Sequence, residues 1–224
     1  RRHSSAASDV YKRQEYKYNR GKVLNKDDLD EIENFGRYLD VDNDGICYRT
    51  YPGTHPEKGA FFTRGTSHDE YARYTEDGEV NAATLSRLMK KFRTASELVP
   101  EPVIEINGED SCGVIFYGST SPAVHEAKDI LKEKEINIDL MQIRSFPFNL
   151  DVWEFIANHD RIYVVEQNRD SQMRTLIMAE GGISPEILRP LVHFTGDPIQ
   201  ASYIVNKISE REVNYKSHIN AKKR

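Results

Sequence analysis

The order of secondary-structure signals predicts an α/β fold built on a parallel sheet. Residues 111–209 alternate short apolar, β-branched runs with segments of helical period, the pattern of strands joined by crossover helices. That stretch is about a hundred residues, the size of one ordinary domain. Residues 15–99 show no such alternation: they are irregular and polar up to 77 and helical only near their end. The chain therefore reads as the end of one domain (15–99), a linker (100–110), an α/β domain (111–209) and a tail (210–224).

The helix before the linker is predicted over 82–99. Leu85, Leu88, Met89, Phe92, Ala95 and Val99 fall at i, i+3, i+4, i+7, i+10 and i+14 and define one apolar face. Pro100 and Pro102 stop it, because proline cannot continue the hydrogen-bond ladder. The first strand is 113–117 (GVIFY). Pro122, just after Ser121, opens a helix whose inward face is Ala123, Ala127, Ile130 and Leu131. The second strand is 136–143, running into Phe146-Pro147-Phe148, and Asn149 caps a helix that buries Val152, Phe155 and Ile156. The third strand is 161–166 (RIYVVE), followed by a helix over 172–179. The fourth strand is 191–194, and Asp197-Pro198-Ile199-Gln200 reads as a capping box opening a helix through Ile208.

Residues 48–77, YRTYPGTHPEKGAFFTRGTSHDEYARYTED, carry no period beyond a short strand at 59–63. A structureless stretch of that length inside a domain is either functional or disordered. Its aromatics, Tyr48, Tyr51, Phe61, Phe62, Tyr71 and Tyr74, argue for a packed loop, because disordered segments are poor in them.

Residues 4–14 (SSAASDVYKRQ) back-translate, codon by codon, into a transposase sequencing adapter. Residues 1–14 are therefore excluded from fold reasoning, and the chain is expected to be the carboxyl-terminal piece of a longer protein. Without their four basic groups and one acid, 27 Lys and Arg face 35 Asp and Glu, a balance of −8 rather than −5. An acidic surface disfavours nonspecific phosphate-backbone binding, so nucleic acid is not an expected partner. No apolar run reaches the roughly twenty residues a membrane span needs. Cys47 and Cys112 form no CxxC pair and no cluster-ligand set, which fits a reduced, cytoplasmic setting.

Each motif has a chemical and a plain reading. Asp40-Val41-Asp42-Asn43-Asp44-Gly45 imitates the first half of a calcium loop, but position twelve is Tyr51 where a bidentate glutamate belongs, so a turn is expected. His55, His68, Asp69 and Glu70 lack the spacing of a zinc site, and no metal is assigned to them. Gly118-Ser119-Thr120-Ser121, between a strand and a helix, can present backbone N–H groups to an anion but has neither GxGxxG nor a P-loop lysine. Glu166-Gln167-Asn168-Arg169-Asp170 follows the carboxyl end of a strand, where α/β sheets place ligands or partner loops.

The run RYLDVDNDGICYRTYPGTHPEKGAFFTRGTSHDEYARYTED (37–77) resembles the loop region of the α subunit of 2-oxoacid:ferredoxin oxidoreductases, the 2-oxoglutarate type above all. YGSTSPAVHEA (117–127), RSFPF (144–148) and VVEQNRDSQMRTL (164–176) resemble that subunit's second, transketolase-C-terminal-like domain. The likeness extends in order over nearly all of 20–208. It implies a transketolase-C-terminal-like domain preceded by the end of a thiamine-enzyme pyrimidine-binding domain. It further implies oxidative decarboxylation of a 2-oxoacid with coenzyme A to an acyl-CoA and carbon dioxide, with electrons passed to ferredoxin. Thiamine diphosphate, magnesium and iron–sulfur clusters are implied for the holoenzyme, their ligands lying upstream or on a β subunit. An αβ or (αβ)2 assembly is implied, and this piece alone is expected to be inactive. On the same likeness, Thr54, His55, Arg64, His68, Asp69 and Glu70 either face the active-site cavity or brace the subunit interface, and Glu166, Gln167 and Asn168 are interface residues. The competing expectations are a lipoamide-linked dehydrogenase or transketolase-like component, and a stand-alone phosphate-binding module using the Gly118 turn.

Overall fold

A computed structural model describes residues 19–61, 67–108 and 112–222, with side chains through Tyr215. It divides into two compact units, Arg1–Thr94 and Ala95–Arg224.

The described part of the first unit is loop held on two helices. Helix α1 (Lys26–Glu31) begins at a capping box in which Asn25 accepts from Asp28 N–H and Asp28 returns the bond to Asn25 N–H. Helix α2 (Gly78–Ser96) is the periodic segment of the sequence, starting and ending a few residues earlier than its apolar positions imply. The helix is present, but its apolar face is not buried: Leu85, Met89 and Phe92 are exposed, and no residue of α2 is buried. Residues 59–61 form no strand, and 62–63 lie outside the described residues. The regular pairing around the long loop is two isolated bridges, Val23 with Arg49 and His68 with Tyr74.

The second unit is a five-stranded sheet in the order β1-β3-β2-β4-β5, where β1 is Val103–Glu105, β2 Cys112–Tyr117, β3 Ile138–Ile143, β4 Ile162–Glu166 and β5 Leu188–Val192. Strands β2 to β5 are parallel, and β1 runs antiparallel on the edge of β3. The sequence reading takes β1 for linker, because Pro100 and Pro102 stand just before and beside a run of only three residues. It also sets the last strand three residues too late. The pairing of Ile162 with Leu188 brings Pro190 into β5, and β5 is an edge strand, where a missing N–H can face away from the ladder.

Alternation along the strands divides two apolar layers. Cys112, Val114 and Phe116 of β2 face helices α3 (Ser121–Glu133) and α6 (Ala201–Lys222), meeting Val124, Ala127, Leu131, Ile204 and Ile208. Ile115 of β2 faces α4 (Leu150–Ala157) and α5 (Gln172–Gly181), where Val152, Phe155, Ile156 and Ile177 are buried. The inward faces expected of α3 and α4 are the buried ones, except that Ile130 is only partly covered and Val124 joins the set. Three local expectations are corrected. Ser121 is the first residue of α3 after a 3-10 turn, Gly118–Thr120, not its cap. Asn149 occupies the cap of α4 without a side-chain cap bond, its amide donating to Asp151 instead. Residues 197–200 are bend and irregular chain rather than helix start, and α6 begins at Ala201 and continues to Lys222, beyond the expected end at Ile208.

Candidate functional site

The long loop is organised by its own polar side chains. Thr50, buried, donates to the Gly59 carbonyl at 3.0 Å. His55 Nδ1 accepts from Glu57 N–H at 3.1 Å and Lys58 N–H at 2.9 Å, which makes it the unprotonated nitrogen, and Nε2 donates to Asp30 on α1 at 3.1 Å. Thr54 N–H donates to Tyr51 carbonyl and Gly59 N–H to the His55 carbonyl, so the 50–59 segment is wrapped around one imidazole. A Cβ on Gly59 would stand 2.5 Å from His55 N, an approach only glycine permits. Lys58 Nζ donates to the Leu29 carbonyl at 2.7 Å and to that of Ile32, satisfying carbonyls at the end of α1.

The second turn centres on Asp69, whose Oδ1 accepts from Tyr71 N–H at 2.9 Å and Arg73 N–H at 2.8 Å. His68 stacks on Tyr38 with ring centroids 4.0 Å apart, and its Nδ1 donates to the Asp69 carbonyl at 3.0 Å. Glu70 is exposed, and its carbonyl accepts from Tyr38 N–H at 2.9 Å. Arg64 lies outside the described residues. Among the described residues, the hydrogen bonds of the 50–59 segment and those of the turn at Asp69 share no partner. Among the described residues there is no group of three or more His, Cys, Asp or Glu able to hold a metal ion.

The calcium-like motif is a turn with a lysine at its centre. Asp40 Oδ1 accepts from the N–H groups of Asp44 and Gly45 at 3.0 and 2.9 Å. Lys22 Nζ reaches Asp42 at 2.6 Å, Asp44 at 2.7 Å and the Ile46 carbonyl at 3.1 Å, and Lys90 pairs with Asp40 and Asn43. Hydrogen bonding to Lys22 is the main cause that holds the Asp42 and Asp44 carboxyls below their usual range. The Lys22 ammonium is in turn held above its usual value, burial opposing the shift and the two aspartates outweighing it. Nothing local to Arg20-Gly21-Lys22 in the sequence announces a partner twenty residues away.

In the second unit the carboxyl edge of the sheet carries Glu166, Gln167 and Asn168. The chain runs from β2 to β3 on one side and from β4 to β5 on the other, so the switch point lies between the ends of β2 and β4. Gln167 Nε2 spans that point to Ser119 and Thr120 hydroxyls at 3.3 and 3.2 Å, and its Oε1 faces Ile199 N–H at 3.4 Å. Glu166 is fully buried; its carboxylate accepts from Met173 N–H at 2.8 Å, Arg174 N–H at 3.0 Å and Asn168 Nδ2 at 2.7 Å. The protein's own carboxylate therefore occupies the positive end of α5. Burial, and then the charge of Glu166, push the neighbouring Tyr117 hydroxyl above its usual value. The Ser119 and Thr120 hydroxyls of the Gly118 turn accept from Gln167. Burial pushes the Cys112 thiol up to about 12 and also raises Cys47, so neither is a ready nucleophile.

These residues define a scaffold with polar rims: a parallel α/β unit whose switch point is closed by its own amide and carboxylate, and a loop-rich unit fixed by His55, Asp69 and Lys22. Comparison with known proteins supplies the class. The chain is 27% identical over 195 residues to the α subunit of 2-oxoacid:ferredoxin oxidoreductase 2 of Aeropyrum pernix, covering 84% of this chain and 28% of that one. It is 27% identical over 188 residues to the α subunit of 2-oxoacid:ferredoxin oxidoreductase 1 of Sulfurisphaera tokodaii, covering 81% and 28%. Its fold matches a solved 2-oxoglutarate:ferredoxin oxidoreductase of Magnetococcus marinus with a TM-score of 0.68 at 23% identity, over 79% of this chain and 30% of that one. No protein-family model matches the chain. The chain is a relative of the α subunits of 2-oxoacid:ferredoxin oxidoreductases, which are oxidoreductase enzymes, and it spans 28% of the length of the relatives quoted. Among the described residues, no helix is long and apolar enough to cross a membrane.

Proposed function

We propose that this chain is part of the α subunit of a thiamine-diphosphate-dependent 2-oxoacid:ferredoxin oxidoreductase that converts 2-oxoglutarate and coenzyme A to succinyl-CoA and carbon dioxide. The observation that carries the reading is the match of 84% of the chain to an α subunit of that name. The choice of 2-oxoglutarate draws support from the solved neighbour, which was determined with 2-oxoglutarate, coenzyme A and succinyl-CoA bound. Among the described residues there is no group of three or more His, Cys, Asp or Glu able to hold a metal ion, and Cys112 is buried in β2. On the family likeness, thiamine diphosphate, magnesium and the clusters belong to other parts of the α subunit and to a β subunit, with ferredoxin as electron acceptor.

Within that assembly the turns at Thr54–His55 and His68–Glu70 are read as rim segments that meet the β subunit. His55 and Asp69 fix backbone there and do not touch substrate, since their ring nitrogens and carboxylate are already engaged with the chain. Glu166 and Asn168 shape the sheet edge, and Gln167 is its exposed, interface-facing member. Two free cysteines suit a reducing, cytoplasmic compartment. The test is the intact α subunit reconstituted with its β subunit and assayed for coenzyme-A-dependent reduction of ferredoxin or methyl viologen. Turnover with 2-oxoglutarate and little with pyruvate is expected. No reduction with any 2-oxoacid overturns the activity, and a pyruvate preference overturns the substrate. In that holoenzyme Asp69→Ala and His68→Ala should weaken subunit association while leaving the KM for 2-oxoglutarate and coenzyme A unchanged. A raised KM with intact assembly would return these residues to the substrate cavity.

A further inference from the structure

Helix α2 turns its polar side toward the chain and its apolar side away. Thr84 Oγ1 donates to the His68 carbonyl at 3.3 Å, Arg87 Nη1 to the Gly45 carbonyl at 3.1 Å, and Thr94 Oγ1 to the Asp44 carbonyl. Gly45, at φ +80°, lies so close to the helix backbone that a Cβ there would stand 2.4 Å from Lys91 N. Leu85, Met89 and Phe92 form a stripe at i, i+4 and i+7 and are 55%, 63% and 51% exposed. At about 100° per residue the two sets point roughly 150° apart, so the stripe lies on the side of the helix away from the loops that hold it. A contiguous apolar stripe of this kind marks a surface that another element covers.

The rest of the unit says what kind of element. Among the described residues of Arg1–Thr94, Leu29 is the one hydrophobic side chain that is fully buried. A second apolar opening of about 670 Å³ in the same unit is lined by Leu24, Ile32, Phe35, Leu39 and Val41. Ordering a backbone costs on the order of 1 kcal/mol per residue, and a unit with one buried apolar side chain cannot offset that by itself. Such a unit is one side of a core, and the other side has to come from further polypeptide. The relatives supply the missing length, since the chain spans only 28% of theirs.

We infer that Leu85, Met89 and Phe92 are core residues of a larger domain, covered by a portion of the same α-subunit polypeptide that lies outside these 224 residues. The inference rests on the α-subunit reading above and goes beyond it in naming the surface and its occupant. Thiol accessibility tests it. Met89→Cys, and separately Leu85→Cys as a second reporter, are placed in a Cys47→Ser background, both in this 224-residue chain and in the full-length α subunit expressed from the intact gene without its β subunit. Maleimide labelling is fast in the short chain and slower by on the order of tenfold or more in the full-length subunit alone, where reaction waits on local opening. Equal labelling in both overturns the inference. So does protection that arrives only when the β subunit is added, which makes the stripe a subunit interface. So does protection of the short chain that grows with its own concentration while the full-length subunit stays reactive, which assigns the stripe to a second copy. The turnover assay of the reconstituted enzyme is scored separately: protection without turnover sinks the activity alone, and turnover with a reactive thiol in the Met89→Cys subunit sinks this inference alone.

Discussion

Lys22 does for the 40–46 turn what a divalent cation does for a calcium loop, with one charge and a covalent tether. Its ammonium sits on the Asp42 and Asp44 carboxylates and the Ile46 carbonyl, the third, fifth and seventh positions of the motif. A cation fixed to the chain needs no ligand at position twelve, which is why Tyr51 can stand there exposed. The pH behaviour follows from the shifts. Because Asp42 and Asp44 are depressed, their contribution is present above the unfolded aspartate value of about 3.9 and is lost as pH falls through their folded values. Because Lys22 is raised, its contribution is present below the unfolded lysine value of about 10.4 and is lost only as pH rises through the folded one. In the full-length α subunit, where this unit is complete, Lys22→Met should therefore lower Tm by a few degrees, by an amount that stays flat from about pH 5 to 9 and shrinks toward pH 3. Millimolar calcium should leave the wild-type Tm unchanged in the same thermal scans. A calcium-dependent rise would mean that the aspartates take a metal after all.

At the level of elements, Glu166 ties the end of β4 to the start of α5. Helix α5 is entered through Ser171 in a left-handed conformation with no side-chain cap, so its first N–H groups depend on the carboxylate reaching over from the strand. Glu166→Ala should cost about 3 kcal/mol in urea unfolding, since two part-buried N–H groups lose a buried, charged acceptor. Glu166→Gln should cost less, because one oxygen remains to accept; a variant as stable as wild type would remove the capping role. The strands and helices of this unit were legible because each signal is local: GVIFY, the Pro122 start, and Val152, Phe155 and Ile156 on one helical face. What escaped depends on non-local partners. A strand of three residues is defined by its pairing with β3, and the place of β5 by the pairing of Ile162 with Leu188. The apolar positions of α2 were legible as a face, but burial is not written in periodicity. His55 and Asp69 stood out by residue type, while their commitment to backbone N–H groups appears only once the turns are built.

For the molecule as a whole, the largest departure from the sequence reading is at the carboxyl end, which reads as a tail from 210 onward. Helix α6 runs through it, and Glu212 is only 2% exposed. Its carboxylate accepts from Arg161 Nε at 2.9 and 3.1 Å and from the Tyr163 hydroxyl at 2.8 Å. Tyr215 adds a ring beneath the guanidinium of Arg161 at 4.3 Å and that of Arg189 at 5.5 Å. Burial, and then the Glu212 charge, push the Tyr163 hydroxyl well above its usual value, which keeps it a donor. The pattern ISEREVNYK offers no apolar period to reveal this, because the residue that docks is an acid whose partners start β4, some fifty residues earlier. Breaking a buried ion pair from one side costs about 3–5 kcal/mol, since it withdraws the carboxylate that Arg161 and Tyr163 share. Glu212→Ala should therefore destabilise the Ala95–Arg224 unit by about that amount, and deletion of 210–224 by at least as much. Glu212→Gln, which keeps an acceptor for Tyr163, should fall between Ala and wild type. Denaturant unfolding of the four proteins measures the series, and a deletion that leaves stability unchanged would return 210–224 to a tail and remove α6 beyond Ile208 from the fold.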